Sequence, residues 1–194
     1  MNLIFFIRSS TVTINSYTIK DIPGSSGRLD VISRCILAAI LGIDNFEENV
    51  KIWIFLDNYG TFIFESESFN YNDFPKNEIL FTNYFVKFLQ KEDLESNPLI
   101  GIKTSEMGII EAIRSFQKLD YNIYVLKEEG KDFFKLRGKI QEKGNIVFIL
   151  GSQEGKFIDS EELLALKLPK MSIGTKSYLA SSVIRLLKLL LFSL

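Results

Sequence analysis

Arg28 and Asp30 close the run Pro23-Gly24-Ser25-Ser26-Gly27-Arg28-Leu29-Asp30, and Arg34 follows one helical turn later. A carboxylate can accept or orient a proton, and a guanidinium can stabilise negative charge that develops beside it. The same residues could instead open a helix, with Asp30 favoured by the helix dipole, or form a structural ion pair. Ser25 and Ser26 could hydrogen-bond a substrate or cap that helix. Further along, residues 126–130, 151–155 and 172–177 each follow a short apolar run. In open α/β sheets ligands sit beyond the carboxyl ends of strands, where such loops emerge. Glycines after strands also simply make turns, so each loop alone is a weak signal.

The residue types that are missing narrow the chemistry. The chain has no histidine, and Cys35 is its single cysteine. That removes a histidine base, Ser-His and Cys-His nucleophiles, a disulfide framework and the histidine- or cysteine-rich metal sites, so no metal is expected. Carboxylates, Lys, Tyr, Arg, hydroxyls, backbone groups or a cofactor must do the work. The formal net charge of −1 argues against a uniformly basic, sequence-indifferent nucleic-acid binder but leaves room for a local basic surface. No G-x-G-x-x-G follows a strand and no P-loop lysine pattern occurs.

The elements that must carry these residues alternate. Leu3 to Ile7 reads as a strand, and residues 28–41 have the apolar spacing of a helix. Val50 to Leu56 and Thr61 to Phe64 read as a hairpin around Asp57-Asn58-Tyr59-Gly60. A helix over Glu78 to Gln90 places Phe81, Phe85, Phe88 and Leu89 on one face. The spacing then predicts a short strand at Leu99 to Ile102 and a helix from Ser105, as N-cap, to Leu119. Asn122 to Leu126, Ile146 to Leu150 and Pro169 to Ile173 read as strands, with a short helix at Glu161 to Leu166 and a last helix at Lys176 to Phe192. The run Ile146 to Leu150 does not alternate, as expected for a strand covered on both faces.

Strands alternating with helices give an α/β class with a mostly parallel sheet flanked by helices, in one domain over 1–194. The 17 phenylalanines belong mostly in the core, since that much exposed aromatic surface would be insoluble. The tail from Val183 is very apolar, yet it carries Arg185 and Lys188 and is shorter than the roughly 20 residues a bilayer requires. A buried helix, or one shared with a second subunit, is the better reading, and the expected compartment is the cytoplasm.

The run Ile22-Pro23-Gly24-Ser25-Ser26-Gly27-Arg28-Leu29-Asp30, with Arg34-Cys35 one turn later, resembles the N-terminal signature of the archaeal tRNA (pseudouridine-54, N1)-methyltransferase family. Val147-Phe148-Ile149-Leu150-Gly151, then Met171-Ser172-Ile173-Gly174 and the last helix, are similar to that family's C-terminal half in order and spacing. The family usually starts its last helix with a polar, His-containing stretch. Here Lys176-Ser177-Tyr178-Leu179-Ala180 stands in that place, and Val183 falls near a cysteine that lines the cofactor site of some members.

The resemblance implies a SPOUT-like fold, with a C-terminal trefoil knot over about 120–194 that holds S-adenosylmethionine. It implies that Leu126, Gly151, Ser172, Ile173, Gly174 and Val183 line the cofactor site. Asp30, as base or proton-orienting group, and Arg28, as electrostatic stabiliser, would serve methylation at N1 of a pseudouridine in the T-loop of tRNA. Ser25, Arg28 and Arg34 would meet the RNA, with Lys20 adding to a local basic surface. A homodimer through the C-terminal helix is implied too. The competing readings are a pseudouridine N1-methyltransferase acting on ribosomal RNA, and a SPOUT-fold RNA-binding or assembly protein without methyl transfer.

Overall fold

The computed structural model describes residues 1–151 and 157–192. Of the expected loop 151–155, only Gly151 falls within them. Seven strands form one sheet: β1 (Asn2–Ser9), β2 (Val50–Leu56), β3 (Gly60–Glu65), β4 (Lys103–Ser105), β5 (Asn122–Asp132), β6 (Asn145–Leu150) and β7 (Lys170–Ser172). Their order is β4-β3-β2-β1-β6-β5-β7. β2, β1, β6, β5 and β7 run parallel, and β3 and β4 complete one edge antiparallel. The mostly parallel α/β reading holds.

The helices are α1 (Ile22–Ser25), α2 (Leu29–Ile40), α3 (Glu78–Gln90), α4 (Ile109–Lys118), α5 (Phe133–Glu142), α6 (Glu161–Ala165) and α7 (Ala180–Phe192). Side chains alternate across a strand, so the apolar run of β1 supplies both layers. Leu3, Phe5 and Ile7 enter the core with α2 and α7, whereas Ile4 and Phe6 enter the core with α4. β6 divides likewise, with Phe148 on the first face and Val147 and Ile149 on the second. Most phenylalanines are buried, and Phe62, Phe64, Phe69, Phe74, Phe81 and Phe85 form a chain of edge, tilted and stacked ring contacts between β3 and α3.

Four expectations are corrected. Residues 99–102 form turns rather than a strand. The Asn97 side chain accepts from the Leu99 amide at 2.9 Å and the Ile102 amide bonds the Leu99 carbonyl, which takes these backbone groups away from a ladder. The strand forms afterwards, and it includes Ser105, which pairs with Thr61 instead of capping a helix. α4 starts at Ile109 behind Gly108, whose amide donates to Glu111 Oε2 at 3.0 Å. The last helix starts at Ala180, so Lys176 to Leu179 form its approach.

The fourth correction concerns β5, which continues past Leu126 into residues expected to be loop. Met171 pairs with both Leu126 and Lys131, so residues 127–130 bulge outward between two contacts with the same partner. A Cβ on Gly130 would stand 2.4 Å from the Met171 backbone, so only glycine lets the strands approach here. α5, which follows directly, had no counterpart in the sequence reading, although Phe133, Leu136 and Ile140 stand at helical spacing among its lysines and Gly138.

α7 packs along α2 and buries a lysine there. Lys188 Nζ donates to the carbonyls of Ala38 and Ala39 at 2.9 Å and of Leu41 at 2.7 Å, with Glu47 Oε2 at 3.3 Å. These are orphan acceptors at the negative end of α2, so the ammonium both satisfies them and complements the dipole. Burial pushes the Lys188 pKa below its ordinary value against the opposing pull of Glu47. Lys188→Met should lower unfolding stability by about 2–4 kcal/mol by leaving these carbonyls and Glu47 unpaired, measurable as a lower urea midpoint.

Candidate functional site

The signature loop is built by backbone contacts that accept no side chain at Gly27. Its φ is +56°, and a Cβ there would lie 1.8 Å from the Thr11 carbonyl oxygen. Thr11 Oγ1 donates to the Gly27 carbonyl at 2.9 Å, and the Thr13 amide bonds the Ser26 carbonyl at 3.2 Å. Arg28 then takes a left-handed conformation, φ 70°, immediately before α2. Ser26 is buried, and its hydroxyl accepts from the Leu29 amide at 3.1 Å, so it caps α2. Ser25 Oγ accepts from the Thr18 amide at 2.9 Å and donates to the Asp21 carbonyl at 2.6 Å, which commits it to closing the loop.

Asp30 is 2% exposed and sits between two guanidinium groups. Arg28 Nε and Nη2 donate to its two carboxylate oxygens at 3.0 and 3.1 Å, a bidentate contact. Arg34 Nη2 donates to Oδ2 at 2.8 Å, while Arg34 Nε lies 3.4 Å from Glu78 Oε2 at the start of α3. Burial alone would raise the Asp30 pKa, but the Arg28 hydrogen bonds and the charges of Arg28 and Arg34 outweigh it and hold the carboxyl below its usual range. Both guanidinium groups remain partly open, with side-chain exposures of 40% for Arg28 and 33% for Arg34. Cys35 is buried beneath, and burial pushes its thiol up to about 12, which makes it an inert packing residue.

A cleft of about 530 Å³ opens at the carboxyl ends of β6 and β7 and at the start of the β5 bulge. Leu126, Gly151, Ser172, Ile173, Gly174 and Val183 all line it, and so does Arg34. Arg28, Asp30 and Ser25 are not among its described walls, and Asp30 links Arg28 to Arg34, which is. The volume suits a nucleoside-sized cofactor. Ser172 Oγ donates to the Gly174 carbonyl at 2.7 Å and accepts from the Gly174 amide at 3.2 Å, which fixes the turn of residues 172–174 at the wall. Such a lining of glycines and apolar side chains suits a flat base and ribose, and Glu128 on the wall suits a cationic group.

With this geometry in view, residues 1–192 match a family model described as "Putative SAM-dependent RNA methyltransferase". The chain belongs to this family. Similar proteins include the tRNA (pseudouridine(54)-N(1))-methyltransferase of Thermococcus onnurineus, 30% identical, with 98% of this chain and 97% of the relative covered. The protein of the same name from Pyrococcus abyssi is 31% identical over 93% of each chain. Among solved structures, Archaeoglobus fulgidus Nep1 bound to S-adenosylhomocysteine superposes with a TM-score of 0.70, covering 98% of this chain and 97% of that one at 16% identity, a likeness of fold.

Several wall residues of this family member were not foreseen. Lys127, on the β5 bulge, pairs with Asp159 ahead of α6 and so ties two rims of the cleft together. Its pKa is raised by the hydrogen bond to Asp159. Tyr178 lies against Gly174, its hydroxyl 3.1 Å from where a Cβ would stand. Lys127 adjoined an expected strand end, so its neighbourhood was visible, but a partner 32 residues away was not.

The Asp30 pKa is lower folded than unfolded, so its contribution to stability is present above the unfolded value and is lost as pH falls through the folded one. Asp30→Asn should cost about 1–3 kcal/mol near neutral pH, discounted because both guanidinium groups are partly exposed, and should flatten the loss of stability below about pH 4. Urea midpoints measured across the acid range check both effects. Glu65, also buried and held below its ordinary range, remains to give residual acid sensitivity.

Proposed function

We propose that this chain transfers the methyl group of S-adenosylmethionine to N1 of a pseudouridine in the T-loop of tRNA. One observation carries the reading: the cleft lined by Leu126, Gly151, Ser172, Ile173, Gly174 and Val183 also takes in Arg34, which is hydrogen-bonded through Asp30 to Arg28 of the signature loop. Two halves of the sequence thereby meet at one place. The substrate assignment draws on the names of relatives matched over nearly the whole chain.

S-adenosylmethionine supplies a methyl group already activated on a sulfonium, so no covalent nucleophile is required of the protein. The tasks left to this chain are to bind, to orient and to ease loss of the N1 proton. Leu126 would offer apolar surface to the adenosine, and Gly151 would let the cofactor approach the backbone. Val183, from α7, would close the wall. Arg28 would stabilise negative charge spreading onto the ring oxygens of the base as the proton leaves.

Asp30 suits the orienting role better than that of proton acceptor. Its oxygens already accept from two guanidinium groups, and a carboxyl held below its ordinary pKa is a weak base. Arg34 would face the cofactor and the RNA together. Ser25 would support the RNA contact by holding the loop that carries Arg28. A base within a folded tRNA loop has to be extruded to reach such a pocket.

The remaining features belong to the same proposal. A single domain over 1–194 would carry a trefoil knot at about 120–194, and the double pairing of Met171 around the 127–130 bulge supports an inserted last strand. Leu179, Leu189 and Phe192 are exposed on or beside α7, and covering them with a second copy would make a homodimer. No described helix is long and apolar enough to cross a membrane, and a tRNA substrate would put the protein in the cytoplasm.

Incubation with labelled S-adenosylmethionine and tRNA transcripts with or without pseudouridine, followed by nucleoside mass spectrometry, should give N1-methylpseudouridine only where pseudouridine was present. Equal methylation of plain uridine would sink the assignment, and product in ribosomal RNA alone would favour the other substrate. Arg28→Ala should lower kcat about a hundredfold while calorimetric affinity for the cofactor stays within about twofold. Light scattering should report a dimer at micromolar concentration, and a monomer would contradict the subunit proposal.

A further inference from the structure

Helix α5 carries a face that is costly for the free chain. Lys131, Lys135, Lys139 and Lys143 stand four residues apart on and beside it, and all are exposed. Between residues 131 and 143 the chain has five Lys or Arg and only two acids, against a net charge of −1 overall. Like charges at this spacing lie one above another on a helix and repel. A face meant only for water usually interleaves Glu with Lys at the same spacing. Lys51, Lys103, Lys127 and Lys188 are engaged with acids, but among the described residues no carboxylate pairs with these four.

Two further features adjoin this row of lysines. Phe134 is 54% exposed and contacts buried Phe133 edge-on, with ring centroids 5.9 Å apart. Beyond its chain neighbours and the local helix backbone, Gly138 has no described atom within 4 Å of the place its Cβ would take. Glycine inside a helix is unfavourable, and here no packing within the chain requires it. The like charges, the exposed ring and the bare backbone thus come together along α5.

We infer that this face is an RNA docking surface, contacting the sugar–phosphate backbone of the tRNA outside the modified base. Phosphates would neutralise the lysine stripe, Gly138 would let the backbone of the RNA come close, and Phe134 offers a stacking platform for an unpaired base. Its position fits such a role. Lys131 and Asp132 pair with Met171 and Ser172 of β7, two residues that line the cofactor cleft, so the stripe begins at the cleft rim and runs outward along about 15 Å of helix. The inference rests on the proposed tRNA substrate and adds where the body of that RNA lies.

The test compares the parent chain with the triple variant Lys131→Gln, Lys135→Gln, Lys139→Gln, titrated with a tRNA transcript at several salt concentrations. A second triple variant, Lys87→Gln, Lys91→Gln, Lys118→Gln, removes the same charge elsewhere. The α5 variant should bind about tenfold more weakly and lose about 2–3 from the slope of log affinity against log salt, while the second variant changes little. Calorimetric affinity for S-adenosylmethionine should be unchanged in both. Gly138→Gln should raise the thermal midpoint, as replacing a helical glycine over open space does, yet weaken tRNA binding about tenfold. If the parent binds tRNA and the α5 variant binds it equally with the same salt slope, the surface assignment falls and the substrate reading stands. If the parent binds no tRNA, the substrate reading falls and takes the surface with it. Loss of binding to phosphatidylserine vesicles in the α5 variant, with tRNA affinity intact, would assign the face to a membrane and overturn the inference.

Discussion

A buried carboxylate shared by two guanidinium groups organises the N-terminal half of the site. Asp30 has both oxygens occupied by Arg28 and Arg34, so one carboxylate helps to orient two guanidinium groups. The arrangement depends on the loop in front of it. Gly27 can press against the Thr11 carbonyl only because it lacks a Cβ, and Ser26 then caps α2 so that Asp30 enters the helix on its first turn. A charge pair this close to the surface contributes modestly to stability, and its value is in the fixed orientation of two cations. One of those cations borders the cleft and the other does not, so the carboxylate links two regions that would otherwise be neighbours only by chance.

α2 is held at both ends by unlike means. Its N-terminus is fixed by residues from the adjacent loop, and its C-terminal carbonyls are gripped by Lys188 from α7. α7 also supplies Val183 to the cleft. The helix that walls the cleft is therefore the helix that clamps the far end of the one bearing Asp30 and Arg34. A shift of α7 would be felt by both sets of residues.

Much of this was legible in the sequence, and the remainder had definite physical reasons to be hidden. The unbroken apolar run of β6 announced a strand covered on two faces, and Leu126, Gly151 and residues 172–174, from three separate expected loops, did gather into one cleft. Periodicity could not reveal that β5 runs on through the bulge, because Lys127 to Gly130 are polar and the partner contact at Gly130 is made through backbone. α5 was masked by its lysines and by a helix-weakening Gly138, although Phe133, Leu136 and Ile140 keep helical spacing. Lys188 looked like a reason for α7 to avoid membranes, when its charge is in fact buried against carbonyls about 150 residues earlier. Contacts of that kind depend on the fold as a whole and leave no local trace. The Arg28–Asp30 pair was visible as a pair, but Asp30's bond to Arg34, and through it to the cleft, needed the helix to be built.

The bond between Lys188 and the carbonyls of Ala38 and Ala39 also bears on when the protein can become competent. A link spanning some 150 residues cannot form on a nascent chain until α7 has left the ribosome, whatever the state of the first half. Until then α2 has three unanswered carbonyls at its end and the cleft lacks the Val183 wall. Contacts so distant in sequence are slow to close. Assembly of the cleft is thus tied to the last stage of folding, and a half-made chain cannot present it finished.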